Sequence, residues 1–207
     1  MPDRSALPQP APMPEWIPRR PATFRLTNGL RVWFLEQGPA PLVSAILVLP
    51  GGSATDPVGK SGLTALMADM LDEGAGDILS ANFQAERDAL AFRMRFSVDK
   101  DSFTGTFQTL SRNRDRSFEL LQLAVNRPRF DAEPLERVRQ QLILNARDRA
   151  KDPQSLALNA WTKQILPGDP YDRDSSGSED SIAKLSAGDL RAAHARIFMR
   201  RTLQVAV

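Results

Sequence analysis

The sequence predicts an α+β domain. Three observations carry that expectation: apolar alternation around an Asn-Gly turn near the N-terminus, a second pair of alternating stretches mid-chain, and a run of amphipathic helical segments through most of the remainder. The first element is a hairpin. Phe24-Arg25-Leu26 and Leu30–Leu35 flank Thr27-Asn28-Gly29, and Asn-Gly favours the tight two-residue turn because both central positions need φ > 0. Leu42–Leu49 is apolar on both faces and is expected to be a central strand. After the Gly- and Pro-bearing loop 50–60, Ser61 is expected to cap a helix carrying Leu63, Leu66, Met67, Met70 and Leu71, ended by Gly74 and Gly76.

A second helix is expected over 82–89, followed by strands over 91–98 and 102–110 joined around Asp99-Lys100-Asp101. Phe92, Met94, Phe96 and Val98 share one face of the first, and Phe103 and Phe107 one face of the second. Helices are expected over about 115–126, 131–151, 153–165 and 186–199, then a strand at Leu203–Val207 that runs into the chain end. That ending leads us to expect a part of a longer chain, with 23–207 as one domain truncated before a second, homologous half. Residues 1–22 are expected to be a flexible arm, since seven of the 16 prolines fall among the first 21 residues.

Composition removes several functions. Of 207 residues 42% are hydrophobic and 25% charged, an ordinary globular balance, enough for one domain that buries about 70% of its unfolded surface. The absence of cysteine excludes a disulfide scaffold, cysteine-ligated zinc and thiol catalysis. A single histidine, His194, excludes any site that needs two imidazoles, and it has no context for a Ser/His/Asp triad. Its helical neighbours Leu190, Ala193, Ile197 and Phe198 mark it as a partly buried packing residue. A formal charge of +2 gives little reason to expect nucleic acid. The arginine clusters Arg112/Arg114/Arg116 and Arg196/Arg200/Arg201 are mixed with acids and lack interleaved aromatics, so a solvated surface is their default. The N-terminus lacks a basic segment followed by an apolar core, so the chain shows no signal peptide, and its longest near-apolar run, Leu42–Pro50, is too short to span a bilayer. A proline-rich start of this kind often follows a cleaved export signal, which makes the periplasm the expected location and the cytoplasm the alternative.

Ala54-Thr55-Asp56-Pro57-Val58-Gly59-Lys60-Ser61 matches a relaxed phosphate-loop pattern between a strand and a helix. Physics argues against that reading. Pro57 has no N–H, Asp56 puts negative charge where phosphate would sit, and only Gly59 lies inside the octamer. Nucleotide binding through Ala54–Ser61 is kept as an alternative only.

The same region has another reading. Thr27-Asn28-Gly29-Leu30-Arg31-Val32, then Gly51-Gly52-Ser53-Ala54-Thr55-Asp56-Pro57 and Lys60-Ser61-Gly62-Leu63, stand in a characteristic order. Downstream come Asp152-Pro153, Leu166-Pro167-Gly168-Asp169-Pro170-Tyr171, Gly177–Ile182 and Leu185-Ser186. Together they resemble the N-terminal half of the pitrilysin/insulinase-type zinc metallopeptidases, the superfamily of mitochondrial processing peptidase and its bacterial relatives. The resemblance implies a half-domain with an antiparallel or mixed sheet and helices packed mainly on one face. In active relatives the helix after Gly-Leu carries H-x-x-E-H, two zinc-binding imidazoles one turn apart with a glutamate base between them, and a glutamate on a later helix completes the site.

Aligned on Gly62-Leu63, the motif positions are Ala65, Ala68 and Asp69; counted back from Asp152-Pro153, the distal position is Asn145. No catalytic, cofactor-binding or metal-binding residue is therefore assigned, and no cofactor is expected. Asp69, Asp72 and Glu73 could share a hard cation only with further ligands or many waters, so a solvated acidic turn or a face toward a partner is the simpler reading. Leu135, Val138, Leu142 and Asn145 step by 3, 4 and 3, which places Asn145 on the inward stripe of its helix, facing Ala65 and Asp69. The variant helix Met67–Asp77 resembles the non-catalytic subunits of bacterial pairs. The resemblance thus implies a catalytically inactive subunit whose partner is an active zinc-peptidase sister, the two enclosing a peptide substrate in a shared chamber. A stand-alone scaffold or binding module of the same fold is the alternative, and a rearranged hydrolytic site on Asp69 and Asp72 a distant one.

Overall fold

The structure is a computed structural model that describes residues 19–36, 38–199 and 202–207. Its hairpin forms where expected, with β1 (Ala22–Arg25) and β2 (Arg31–Phe34) pairing antiparallel, but the turn differs: Leu26 and Leu30 close a three-residue loop in which Gly29 alone takes a positive φ, +85°, while Asn28 uses its Oδ1 to accept the Leu30 N–H at 3.0 Å. Of the arm expected over 1–22, residues 1–18 lie outside the described residues, and Ala22 already belongs to β1.

β3 (Leu42–Pro50), β6 (Arg93–Val98), β7 (Ser102–Leu110) and β8 (Gln204–Ala206) complete a six-stranded sheet in the order β1-β2-β8-β3-β7-β6. Only the β2–β8 pairing is parallel, so the sheet is mixed. β8 lies between β2 and β3, where Val205 faces Val32 on one side and Leu47 on the other. β4 (Gly74–Ala75) and β5 (Ile78–Leu79) form a separate short ribbon that periodicity could not foretell, being two residues per strand.

The helices are α1 (Leu63–Asp69), α2 (Ser80–Ala89), α3 (Arg114–Asn126), α4 (Ala132–Arg149), α5 (Pro153–Ile165), α6 (Glu179–Ala183) and α7 (Ala187–Ile197). α6, a short capped helix that overlaps the Gly177–Ile182 landmark, is too short to show a period and was not expected. The core lies between helices and one sheet face. Ala45, Leu49, Met94, Phe96, Phe103 and Phe107 meet Leu66 and Met67 of α1, Leu120 of α3, and Leu190, Ala193 and Ile197 of α7. The alternation of β6 and β7 accounts for this, since every second side chain of each strand enters the core.

β3 is internal to the sheet, as its apolar run foretold, but it is not covered on both faces. Leu42 and Ile46 remain 48% and 45% exposed on the side away from the helices. An apolar run identifies a central strand, but composition cannot tell a covered face from an open one.

Candidate functional site

The loop between β3 and α1 is organised by one carboxylate. Asp56, 4% exposed, accepts the N–H of Gly62 and of Thr64 at 3.1 Å each and the Thr64 hydroxyl at 2.5 Å. It therefore supplies the acceptor that the first turn of α1 needs, the role expected of Ser61. The N-cap is Gly62 at φ +87°, and Ser61 contributes only its carbonyl, which accepts the Ser181 hydroxyl at 2.8 Å. Burial raises the Asp56 carboxyl above its ordinary value, opposed by the two Thr64 bonds, by Arg196 and by Gly62.

This geometry also accounts for the phosphate-loop pattern. The N–H groups of Ala54, Thr55, Asp56 and Lys60 already bond backbone carbonyls, Lys60 pairs with Asp189, and Arg173 donates to the carbonyls of Ala54 and Asp56 at 3.0 and 2.6 Å. The space at the start of α1 is filled by the protein's own carboxylate. The pattern reflects a strand–loop–helix connection with different internal chemistry.

At the aligned zinc positions, Ala68 is buried, Ala65 half-buried, and Asp69 exposed. Asp69 is nonetheless densely surrounded: desolvation, reinforced by Asp72, pushes its carboxyl up to about 6, with Arg95 opposing. Asn145 does not lie on the inward stripe. That stripe runs through Leu135, Val138, Leu142, Ile143 and Ala146, whereas Asn145 is exposed and its Oδ1 accepts from Gln141 Nε2 at 3.1 Å. A step of 3, 4, 3 from Leu135 drifts to the edge of the buried face by the fourth residue, where Ala146 takes the inward place.

The acidic turn after α1 is not simply solvated. Asp72 is half-buried and accepts from Arg87 Nη1 of α2 at 2.6 Å. Glu73 is 6% exposed, accepts the Ser80 hydroxyl at 2.5 Å, and pairs with Arg137 of α4. Among the described residues no group of three or more His, Cys, Asp or Glu side chains is placed to hold a metal ion. The residues at the aligned positions do not fit zinc. Two methyl groups and an amide engaged with its own helix leave Asp69 as the single firm donor, where about three are needed.

His194 is the packing residue its neighbours indicated. Its ring stacks on Phe198 at 4.6 Å, meets Phe130 edge-on at 6.3 Å, and its Nε2 lies 2.8 Å from the Val125 carbonyl oxygen. Burial pushes its pKa below the ordinary imidazole value, opposed by the bond to the Val125 carbonyl. Arg114 and Arg116 are exposed and paired with Asp115 and with Glu86 and Glu119. Arg196 departs from the solvated reading, because it reaches Asp56 at 3.8 Å; Arg200 and Arg201 lie outside the described residues. The sequence reading missed Asp56 as the organiser of the loop. The signal available was an acid six residues before a Gly-Leu helix start, masked by Ser61 as the nearer cap candidate.

The fold defined by this sheet and its single helical layer is found in solved structures. A peptidase M16 inactive domain from Pseudomonas fluorescens superposes with a TM-score of 0.84 at 24% identity, over 91% of this chain and 46% of that one. A protease from Helicobacter pylori superposes with a TM-score of 0.79 at 18% identity, over 89% of this chain and 45% of that one. In sequence, a Helicobacter pylori protein described as non-peptidase homolog YmxG is 23% identical over 159 residues, 77% of this chain and 37% of that protein. No protein-family profile matches the chain. The chain thus spans less than half the length of each of these relatives. The expected architecture, a mixed sheet with helices packed mainly on one face, is the fold observed.

Proposed function

We propose that this chain is a non-catalytic, peptidase-like subunit that pairs with an active sister carrying an intact H-x-x-E-H helix and helps to enclose and bind extended peptides. The observation that carries the reading is the donor set at the aligned zinc positions: Ala65, Ala68, Asp69 and an Asn145 bonded to Gln141. These positions offer no pair of imidazoles, and the place of the glutamate base is taken by the methyl group of Ala68. Asp56, Asp72 and Glu73 are each held by internal partners rather than left free for chemistry. The descriptions of the Pseudomonas domain as inactive and of the Helicobacter homolog as a non-peptidase support the same reading. The proposal includes export to the periplasm, supported by the proline-rich start of the chain.

The test is metal analysis with a paired assay. Purified chain is dialysed against micromolar zinc, then analysed for bound metal and for cleavage of fluorogenic peptides. It is then mixed with a candidate H-x-x-E-H sister protein and passed over a sizing column. The expected result is substoichiometric zinc, no cleavage, and co-elution. One zinc retained per chain together with peptide cleavage would overturn the proposal, and separate elution would reduce it to a stand-alone binding module.

A further inference from the structure

The face of the sheet away from the helices has an unusual charge pattern. The six strands contain four charged residues, Arg25, Arg31, Arg93 and Arg95, all of one sign. The register places all four on the open face. Trp33 is level with Ala206, Ala206 with Ile46, Ile46 with Thr106, and Thr106 with Arg95, so these side chains share a side; Arg31 and Arg93 follow two residues away on their strands, and Arg25 faces Arg31. All four arginines are exposed, and none makes an ion pair among the described residues.

Two features point to an anionic occupant. Arg25 and Arg31 stand directly opposite each other across an antiparallel pair, an arrangement of like charges that costs stability unless an anion lies between them. Arg93 and Arg95 repeat two residues apart on one strand and look over a hollow of about 630 Å³ whose floor includes Ile46, Thr106 and Gln108. Between the two basic ends runs a strip of Trp33, Ala206, Ile46 and Val48, edged by hydroxyl and amide side chains. Among the described residues acids stand at the rim: Asp69 senses Arg95, Asp88 borders the hollow, and Asp101 lies near Arg25 and Arg31.

We infer that this open sheet face binds an extended polypeptide segment with carboxylates at both ends and apolar residues between them. β2 and β6 are four strand spacings apart, about 19 Å, which an extended chain crosses in about six residues. A nucleic acid strand is disfavoured, because the cations form two separated pairs instead of a continuous track, and among the described strand residues Trp33 is the single aromatic side chain on the face. The inference rests on the peptide-binding role proposed above and gives that role a sign.

The test is fluorescence anisotropy of the purified chain with labelled peptides of about twelve residues, in which glutamate pairs flank a Val/Thr/Leu centre, and with their Gln and Lys counterparts. At low salt the Glu peptide is expected to bind about tenfold more tightly than the Gln peptide, the Lys peptide weakest, and the preference to fade toward 0.5 M salt. Arg93→Gln/Arg95→Gln and Arg25→Gln/Arg31→Gln should each cut the preference to about threefold, while Arg191→Gln, on the exposed surface of α7, leaves it intact. Circular dichroism checks that each variant is folded. Equal binding of Glu and Gln peptides, or a preference that survives both double variants, overturns the inference while the non-catalytic reading stands. Tighter binding of a single-stranded oligonucleotide, or of no peptide at all, also overturns it. Stoichiometric zinc with cleavage is the separate result that would overturn the reading beneath.

Discussion

Replacing Asp56 by alanine tests whether one buried carboxylate organises the β3–α1 connection. The side chain accepts three hydrogen bonds, from the N–H groups of Gly62 and Thr64 and from the Thr64 hydroxyl, and both Asp56 and Thr64 are buried. Leaving a buried donor without a partner costs about 1–3 kcal/mol. Water admitted to the space left by the carboxylate recovers part of this, and the hydroxyl can rotate toward another acceptor. The net expectation is a loss of about 4 kcal/mol, somewhat above the cost of an ordinary helix cap. For a chain of this length each kcal/mol lowers the melting temperature by about 2–4 °C, so the transition should fall by about 10 °C. Asp56→Asn should fall less, by about half, because its carbonyl oxygen can still serve Thr64 while its NH₂ opposes the Gly62 N–H. Differential scanning calorimetry on the three proteins reads both values, and isothermal titration with Mg-ATP on the same samples should stay flat. A fall of under about 3 °C for Asp56→Ala would refute the assignment of Asp56 as organiser, and heat from nucleotide in either variant would revive the phosphate-loop reading.

Two further perturbations probe the aligned motif helix and its approach. Asp69 has its carboxyl raised from 3.8 to about 6, so between those values the folded chain holds a proton that the unfolded chain has lost, and stability falls as pH rises through that window. Asp69→Asn removes the cost. Because Asp69 is exposed, solvent screening reduces the full linkage value to about 1 kcal/mol of stabilisation at pH 7, declining to nothing near pH 4; urea denaturation at both pH values checks it, and equal gains at both would refute the desolvation argument. Gly52→Ala should be severely destabilising, since a Cβ there would overlap the Asp99 carbonyl oxygen and stand 2.6 Å from Lys100 C and 2.7 Å from Asp101 N, all of them backbone atoms that cannot step aside. Loss of soluble protein or a drop of about 3 kcal/mol or more in urea is expected, and a near-neutral effect would mean that the β6–β7 turn does not lie against this loop.

The strands, most helices and their order were legible because their signals are local. Asn28-Gly29 dictates a hairpin, Phe92/Met94/Phe96 and Phe103/Phe107 dictate which face is buried, and Pro153 behind Asp152 starts α5 with Asp152 accepting the Ser155 N–H at 2.8 Å. What failed to be legible is set by long-range partners. Asp56 reads as an unremarkable loop acid until the fold brings it beneath Gly62 and Thr64. Asn145 was placed inward by a period that cannot resolve the border of a stripe, and Glu73 was read as solvated although the fold buries it between Ser80 and Arg137. The open sheet face was legible in principle. Arg93-Met94-Arg95-Phe96 alternates charge with bulk, and its significance emerges once Arg25 and Arg31 are brought to the same side.

The carboxylates after α1 also decide whether that turn could hold a cation by other means. A hard divalent ion wants six or more oxygens. Asp72 is engaged by Arg87 of α2 and Glu73 by Arg137 of α4, so an ion recruiting either must first displace a guanidinium whose bond is already charge-assisted. For Glu73 the exchange is least favourable, since it lies almost wholly out of solvent and the Ser80 hydroxyl would have to turn away as well. Asp69 has no such bond among the described residues, and at a carboxyl value of about 6 its charge is itself costly in that place. The arginines neutralise this turn from two different helices and in doing so tie α1 to α2 and α4. Restoring a single ligand at position 69 therefore cannot recreate a metal centre: the neighbouring acids are committed to bracing the helical layer, and the remaining donors at positions 65, 68 and 145 are two methyls and an amide turned along its own helix.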